Sequence, residues 1–204
     1  MPILYTMRRL LLTASLLVVA LSASAYPVYY KEQYYKLFHT HYIQSPDDSI
    51  ENIYWLELAK GADFCNPLYA LAAITDQTHW ERYRYLLDMH IDLMLIQQHL
   101  ILGSKFDKQV AYFYNAPWKD ENLDSLKTAE SAYRTALLYW NEAKDLAEKA
   151  MKTPFVLLDG AEYWIDEASR IESGDLDYAS IIAAQISRLE KVRAEFEKMD
   201  GSTY

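Results

Sequence analysis

Five histidines, a single cysteine and an abundance of carboxylates are the side chains here that could do chemistry. The histidines are His39, His41, His79, His90 and His99. His39 and His41 stand two apart, so on a helix they point to different sides. His90 and His99 share one helical pattern, about 2.5 turns and about 13.5 Å of rise apart. Neither His-Glu-x-x-His nor Glu-x-x-His occurs, so the ligand spacings of zinc proteases and di-iron bundles are missing. Asp76-x-x-His79 is one pair without a third ligand. The sequence assigns no metal site and no cofactor on these grounds.

Nucleophile signatures are also missing. There is no Gly-x-Ser-x-Gly and no Ser-x-x-Lys, and no glycine-rich phosphate loop. Cys65 has no cation beside it in sequence, and Asp63 would raise its pKa rather than lower it. The expectation for Cys65 is a small buried apolar residue; an intermolecular disulfide is the sharper alternative. The acids Asp47-Asp48, Glu57, Asp120-Glu121 and Asp166-Glu167 fall in first turns or on charged faces, where dipole compensation and solubility account for them. A wall-directed glycosidase would use two such carboxylates, but no pair stands out. The chain is expected not to be an enzyme.

The N-terminus carries an export pattern. Arg8 and Arg9 precede an apolar run from Leu10 to Leu21, and Ala23-Ser24-Ala25 offers small residues for cleavage. That layout predicts a signal peptide over residues 1–25 and a single helical domain over 26–204. The run falls short of the about 20 residues that a spanning helix needs. The expected location is the periplasm. The full chain has a net charge of −9, and loss of Arg8 and Arg9 leaves 18 bases against 29 acids, a net charge of −11. So acidic a surface repels phosphate backbones and anionic headgroups, which argues against nucleic-acid partners and direct binding to anionic membranes. With one cysteine the fold must rest on packing.

The elements that would carry these residues are helical throughout. Gly61, Gly103, Gly160, Gly174 and Gly201 fall at breaks between helical patterns, as do Pro27, Pro46, Pro67, Pro117 and Pro154. Residues 28–44 form the first expected helix. Ser45 as N-cap and Pro46 at the first helical position open a second, which Gly61 closes. Asn66 caps a short helix through Ala73. A long helix over 76–102 has a second half that is apolar on nearly every side, hence central, and a first half with a polar strip of Glu81, Arg84, Asp88 and Asp92. Another runs over 121–152 with a stripe of Leu126, Ala129, Tyr133, Ala136, Trp140, Ala143, Ala147 and Ala150. Small residues in steps of three and four predict close antiparallel packing rather than a coiled coil. Helices over 159–173 and 175–199 finish the chain. No period-two alternation of useful length occurs, so no sheet is expected.

Two resemblances add to this reading. Ala62 and Pro67, and the rhythm Ala129-x-x-x-Tyr133-x-x-Ala136, resemble parts of a tetratricopeptide repeat, although no strict 34-residue period recurs. The expected fold is therefore all-α, built of antiparallel helical hairpins, as a degenerate tetratricopeptide-like array or a helical bundle. The runs Tyr29 to His39, Asn52 to Ala59 and Tyr112 to Lys119 look like exported helical proteins of spirochaetes, some of which belong to the periplasmic flagellar collar. That resemblance implies a scaffold that assembles with other proteins.

The chain has 18 Tyr and 5 Trp, residues that serve both cores and interfaces. Tyr29, Tyr30, Tyr34, Tyr112, Tyr114 and Trp118 are the candidate protein-binding residues. Pro117 stiffens the approach to Trp118. Trp118 itself is expected to plug the core, and Tyr112 and Tyr114 to anchor an interface. The expected function is a non-enzymatic periplasmic scaffold or adaptor. The alternative is a soluble binding protein that holds a small or lipidic ligand between helices.

Overall fold

The computed structural model describes residues 27–107, 116–200 and 202. Among them there are six α-helices: α1 (Lys31–Gln44), α2 (Ser49–Gly61), α3 (Gln77–Phe106), α4 (Lys119–Lys152), α5 (Glu162–Ser173) and α6 (Tyr178–Glu197). Two 3₁₀ turns, Pro67–Tyr69 and Ala116–Trp118, precede α3 and α4. The fold is all-α, and the one β-type contact among the described residues is an isolated bridge between Tyr30 and Asp63.

The α3–α4 hairpin is the spine. Gly103 of α3 faces Tyr133 of α4, and Arg82 of α3 faces Thr153 just past α4, so the two helices run antiparallel. The stripe on α4 is what allows this. Leu126, Ala129, Tyr133, Ala136, Trp140, Ala143, Ala147 and Ala150 are all buried. With its 34 residues, α4 is about 50 Å long. Two shorter helices lie end to end along it. Trp140 of α4 meets Tyr178 at the start of α6, and Lys119 at the start of α4 donates to the Glu197 carbonyl at the end of α6. The α1–α2 hairpin covers another side of α3, through Asn52 to Gln98 and Lys60 to Asp92. One buried apolar cluster runs from Phe38 of α1 to Phe196 of α6. Helices of such unequal length form a bundle of hairpins, and Ala62 and Pro67 fall on a C-cap and a single 3₁₀ turn rather than on a repeat.

Several boundaries differ from the sequence expectation, each for a local reason. Ser45 and Pro46 do not start α2. Their carbonyls accept from the Asn52 side-chain amide, and Asp48 is the N-cap, accepting from the Glu51 N–H at 3.2 Å. The segment after Asn66 ends as one 3₁₀ turn, because the Leu71 N–H goes to the Tyr83 hydroxyl and the Ala73 N–H to the Asp159 carbonyl instead of into a helix. Gly103 does not end α3, which continues to Phe106. The last helix begins at Tyr178 rather than at 175, with Asp177 as its N-cap, and Gly174 turns the chain after α5 at φ 80°. No described helix is long and apolar enough to cross a membrane.

Candidate functional site

Among the described residues, the expected binding residues fall at two ends of the bundle. Tyr29 and Tyr30 are exposed, edge to face at 6.5 Å, where the chain enters α1. Tyr34 is half-buried, and its hydroxyl donates to the Val28 carbonyl, which fixes that entry. Trp118 lies at the far end of the bundle, at the N-cap position of α4. It is 44 % exposed and so is not the core plug that its stiff approach suggests. Pro117 fixes the backbone before it, which directs the ring outward as readily as inward. Tyr112 and Tyr114 lie outside the described residues.

The end of the bundle near Tyr29 and Tyr30 carries a surface that sequence reading missed. The loops between α2 and α3 and between α4 and α5 lie side by side there. Ala73 N–H donates to the Asp159 carbonyl at 3.1 Å, and Gly160 packs against the Leu71 carbonyl. Residues 66–75 and 153–158 hold no charged side chain, in a chain that is 24 % charged. Leu68 is 84 % exposed and Phe155 is 74 % exposed, with Tyr69 and Leu157 also open to solvent. The second loop is held from below. Arg82, fully buried, donates to the Thr153 and Pro154 carbonyls at 3.4 Å and lies under the Phe155 ring. The signal was the length of these two charge-free runs; reading the first as a helix hid it.

Buried polar groups join the helices beneath this surface. The Tyr35 hydroxyl lies 2.9 Å from His90 Nε2, and His90 Nδ1 lies 2.7 Å from Glu167 Oε2. Burial, then the Glu167 carboxylate, holds Tyr35 well above the usual phenol range. Glu167 accepts from Nδ1–H, and in the neutral imidazole Nε2 is then the acceptor for the Tyr35 hydroxyl. Trp164 stacks on the imidazole at 5.4 Å. Glu167 thus belongs to the core rather than to a charged first turn. Both imidazole nitrogens are occupied, and the arrangement ties α1, α3 and α5 together. Glu32 does likewise for the loop, accepting from Cys65 N–H at 2.9 Å and from the Tyr83 hydroxyl at 3.2 Å. Cys65 is buried, and burial together with Glu32 pushes its thiol up to about 12. It is a protonated thiol at neutral pH, a poor nucleophile.

Asp92 is fully buried, not part of an exposed strip, and pairs with Lys60 at 2.5 Å. Lys60 also reaches Glu142 at 2.7 Å, while Lys31 pairs with Asp88 at 2.8 Å. Burial outweighs the pull of Lys60 and lifts the Asp92 carboxyl to about 7. A groove of about 320 Å³ opens here between α2, α3 and α4, lined by Lys60, Asp88, Glu142, Asp145, Leu146 and Lys149. Further along α3, His99 stacks on Tyr139 at 5.7 Å with neither ring nitrogen hydrogen-bonded, and burial lowers its pKa. At the α1–α2 turn, His41, Asp48 and Glu51 converge. Scanning histidine spacings along single helices could not find that trio, which spans two helices and a turn.

Residues 78–199 match the model of a family described as a domain of unknown function, DUF8513. The match covers more than half of the chain. The chain belongs to the DUF8513 family. Neither the curated proteins nor the solved structures yield a match. The DUF8513 segment takes in α3 to α6, with His90, Glu167 and the loop over 153–158. The α1–α2 hairpin, Tyr35, His41 and the loop over 66–75 precede it.

Proposed function

We propose that this protein is a non-enzymatic adaptor of the cell envelope that docks a second protein through the uncharged end of its bundle. One observation carries the reading: the charge-free segments 66–75 and 153–158 of two adjoining loops each expose large apolar side chains, Leu68 and Tyr69 on one and Phe155 and Leu157 on the other. Contiguous exposed apolar surface marks interaction sites more than isolated residues do. Arg82 holds one of the loops in place, so little ordering entropy is lost on docking. The partner that fits is an apolar protein surface, with basic groups around it to match an acidic chain, of net charge −11 once residues 1–25 are removed. The export pattern supports an encounter in the periplasm. The resemblance to exported spirochaete proteins makes assembly within a flagellar collar the specific form of this reading.

The test uses the purified chain as bait in envelope extracts, with crosslinking. Leu68→Ser combined with Phe155→Ser should abolish capture of the partner while leaving the helical circular dichroism spectrum and Tm unchanged. Trp118→Ala, at the opposite end, should capture normally. Equal capture by both variants would remove this end from the function. A small molecule that co-purifies with the chain, with no protein captured, would favour the ligand-binding alternative.

A further inference from the structure

We propose that His41, Asp48 and Glu51 form a surface site for a divalent first-row transition-metal ion. A ring nitrogen of His41 and one carboxylate oxygen from each acid lie within 4.8 Å of one another. Ligands on a tetrahedral ion with bonds of about 2.1 Å sit about 3.4 Å apart. Small rotations of two exposed carboxylates close that difference.

The case rests on the imidazole and not on the acids. Asp48 caps α2 with one oxygen, a role that needs no metal. One ring nitrogen of His41 serves a buried amide, and its state is fixed from outside the trio. Asn52 is fully buried, and its side-chain amide donates to the Ser45 and Pro46 carbonyls and to Gln98 Oε1. Three acceptors around Nδ2 settle which way the amide faces. Asn52 Oδ1 therefore meets His41 Nδ1 as an acceptor, at 2.9 Å. His41 Nδ1 carries the proton, and Nε2 keeps its lone pair. A histidine whose far nitrogen donates to a fixed oxygen is how metal sites orient the ligand and set its tautomer. Glu51 is held as well: Trp55 Nε1–H donates to its Oε1 at 3.2 Å, leaving Oε2.

The field and the ligand types narrow the ion. His41 is in the last turn of α1, whose carbonyl end favours a cation. The N-terminus of α2 opposes it, and two carboxylates outweigh that partial charge. One imidazole with two carboxylates suits Zn²⁺ or Mn²⁺. Ca²⁺ needs six to eight oxygens, and three side chains do not supply them. A bound ion would clamp the end of α1 to the start of α2.

The full chain, stripped with chelator, is titrated with Zn²⁺ by calorimetry. One ion should bind per chain. His41→Gln and Glu51→Gln should each weaken it at least tenfold. Glu190→Gln, an equal charge change on an exposed face of α6, should leave it unchanged. Because Glu51 is exposed, its variant stays folded even where the His41 variant perturbs the turn. In ¹⁵N spectra Zn²⁺ should move His41 Nε2 and leave Nδ1 protonated. Absence of saturable binding, or equal weakening by all three substitutions, would overturn the proposal.

Discussion

The ring of Tyr133 lies where a side chain on Gly103 would begin. A Cβ placed on Gly103 would meet Tyr133 Cε1 at 2.4 Å. The ring cannot swing away freely, because its hydroxyl donates to Asp107 Oδ2 at 2.7 Å, and Asp107 also pairs with Arg188. Two opposed effects therefore meet in Gly103→Ala. Helix propensity favours Ala by about 1 kcal/mol. Overpacking costs about 1–3 kcal/mol, and more where the neighbour is tied. We expect net destabilisation by about 1–2 kcal/mol in urea unfolding. A variant more stable than the parent would show that α3 and α4 separate without cost.

His90 should behave as one member of a set. His90→Phe takes the imidazole donor from buried Glu167, and leaving a buried carboxylate short of that hydrogen bond costs about 1–3 kcal/mol or more. Adding Glu167→Leu should recover a large part of that loss. Tyr35→Phe removes one neutral hydrogen bond and should cost about 1 kcal/mol. Additive losses for His90 and Glu167 in a double-mutant cycle would mean that the two are not coupled.

Asp92 and His99 set opposite pH dependences. Unfolded, an aspartate titrates near about 3.9 and a histidine near about 6.5. Folded, burial lifts Asp92 to about 7 and lowers His99. Between about pH 4 and about pH 7 the folded chain keeps a proton on Asp92 that the unfolded chain has lost, so this stability fades as pH rises. Below about pH 6.5 the unfolded chain binds a proton that buried His99 refuses, so stability falls as pH falls. Asp92→Asn should gain on the parent between pH 5 and pH 8. His99→Phe should show its largest advantage at pH 5. Urea midpoints at the two pH values decide it, and curves parallel to the parent for both variants would refute the assignment.

Periodicity made the helices legible, and physical context beyond one helix explains the rest. The Ala stripe of α4 is visible because every member is buried, at steps of three and four along one helix. Asp92 looked like a solvated acid because its partner, Lys60, lies on another helix. Glu167 looked like a dipole-compensating acid because His90 is distant in sequence. Gly103 looked like a stop because the ring that fills its place belongs to α4. Of the expected binding residues, Tyr29 and Tyr30 are at the surface end now singled out, whereas Leu68 and Phe155 were invisible to a reading that weighed aromatics by density. Exposure of a loop tip follows from how two loops meet, and no pattern within either loop encodes that.

The α1–α2 hairpin lies before the DUF8513 match yet supplies partners to groups inside it: Tyr35 to His90, Glu32 to Tyr83 and Lys60 to Asp92. A chain cut to begin at residue 78 would keep every residue by which the family is recognised. It would also take from an imidazole, a phenol and a carboxyl on α3 the partners that this hairpin supplies. A chain of α3 to α6 alone would have to cover the same side of α3 with something else, whether another segment of its own or a different chain.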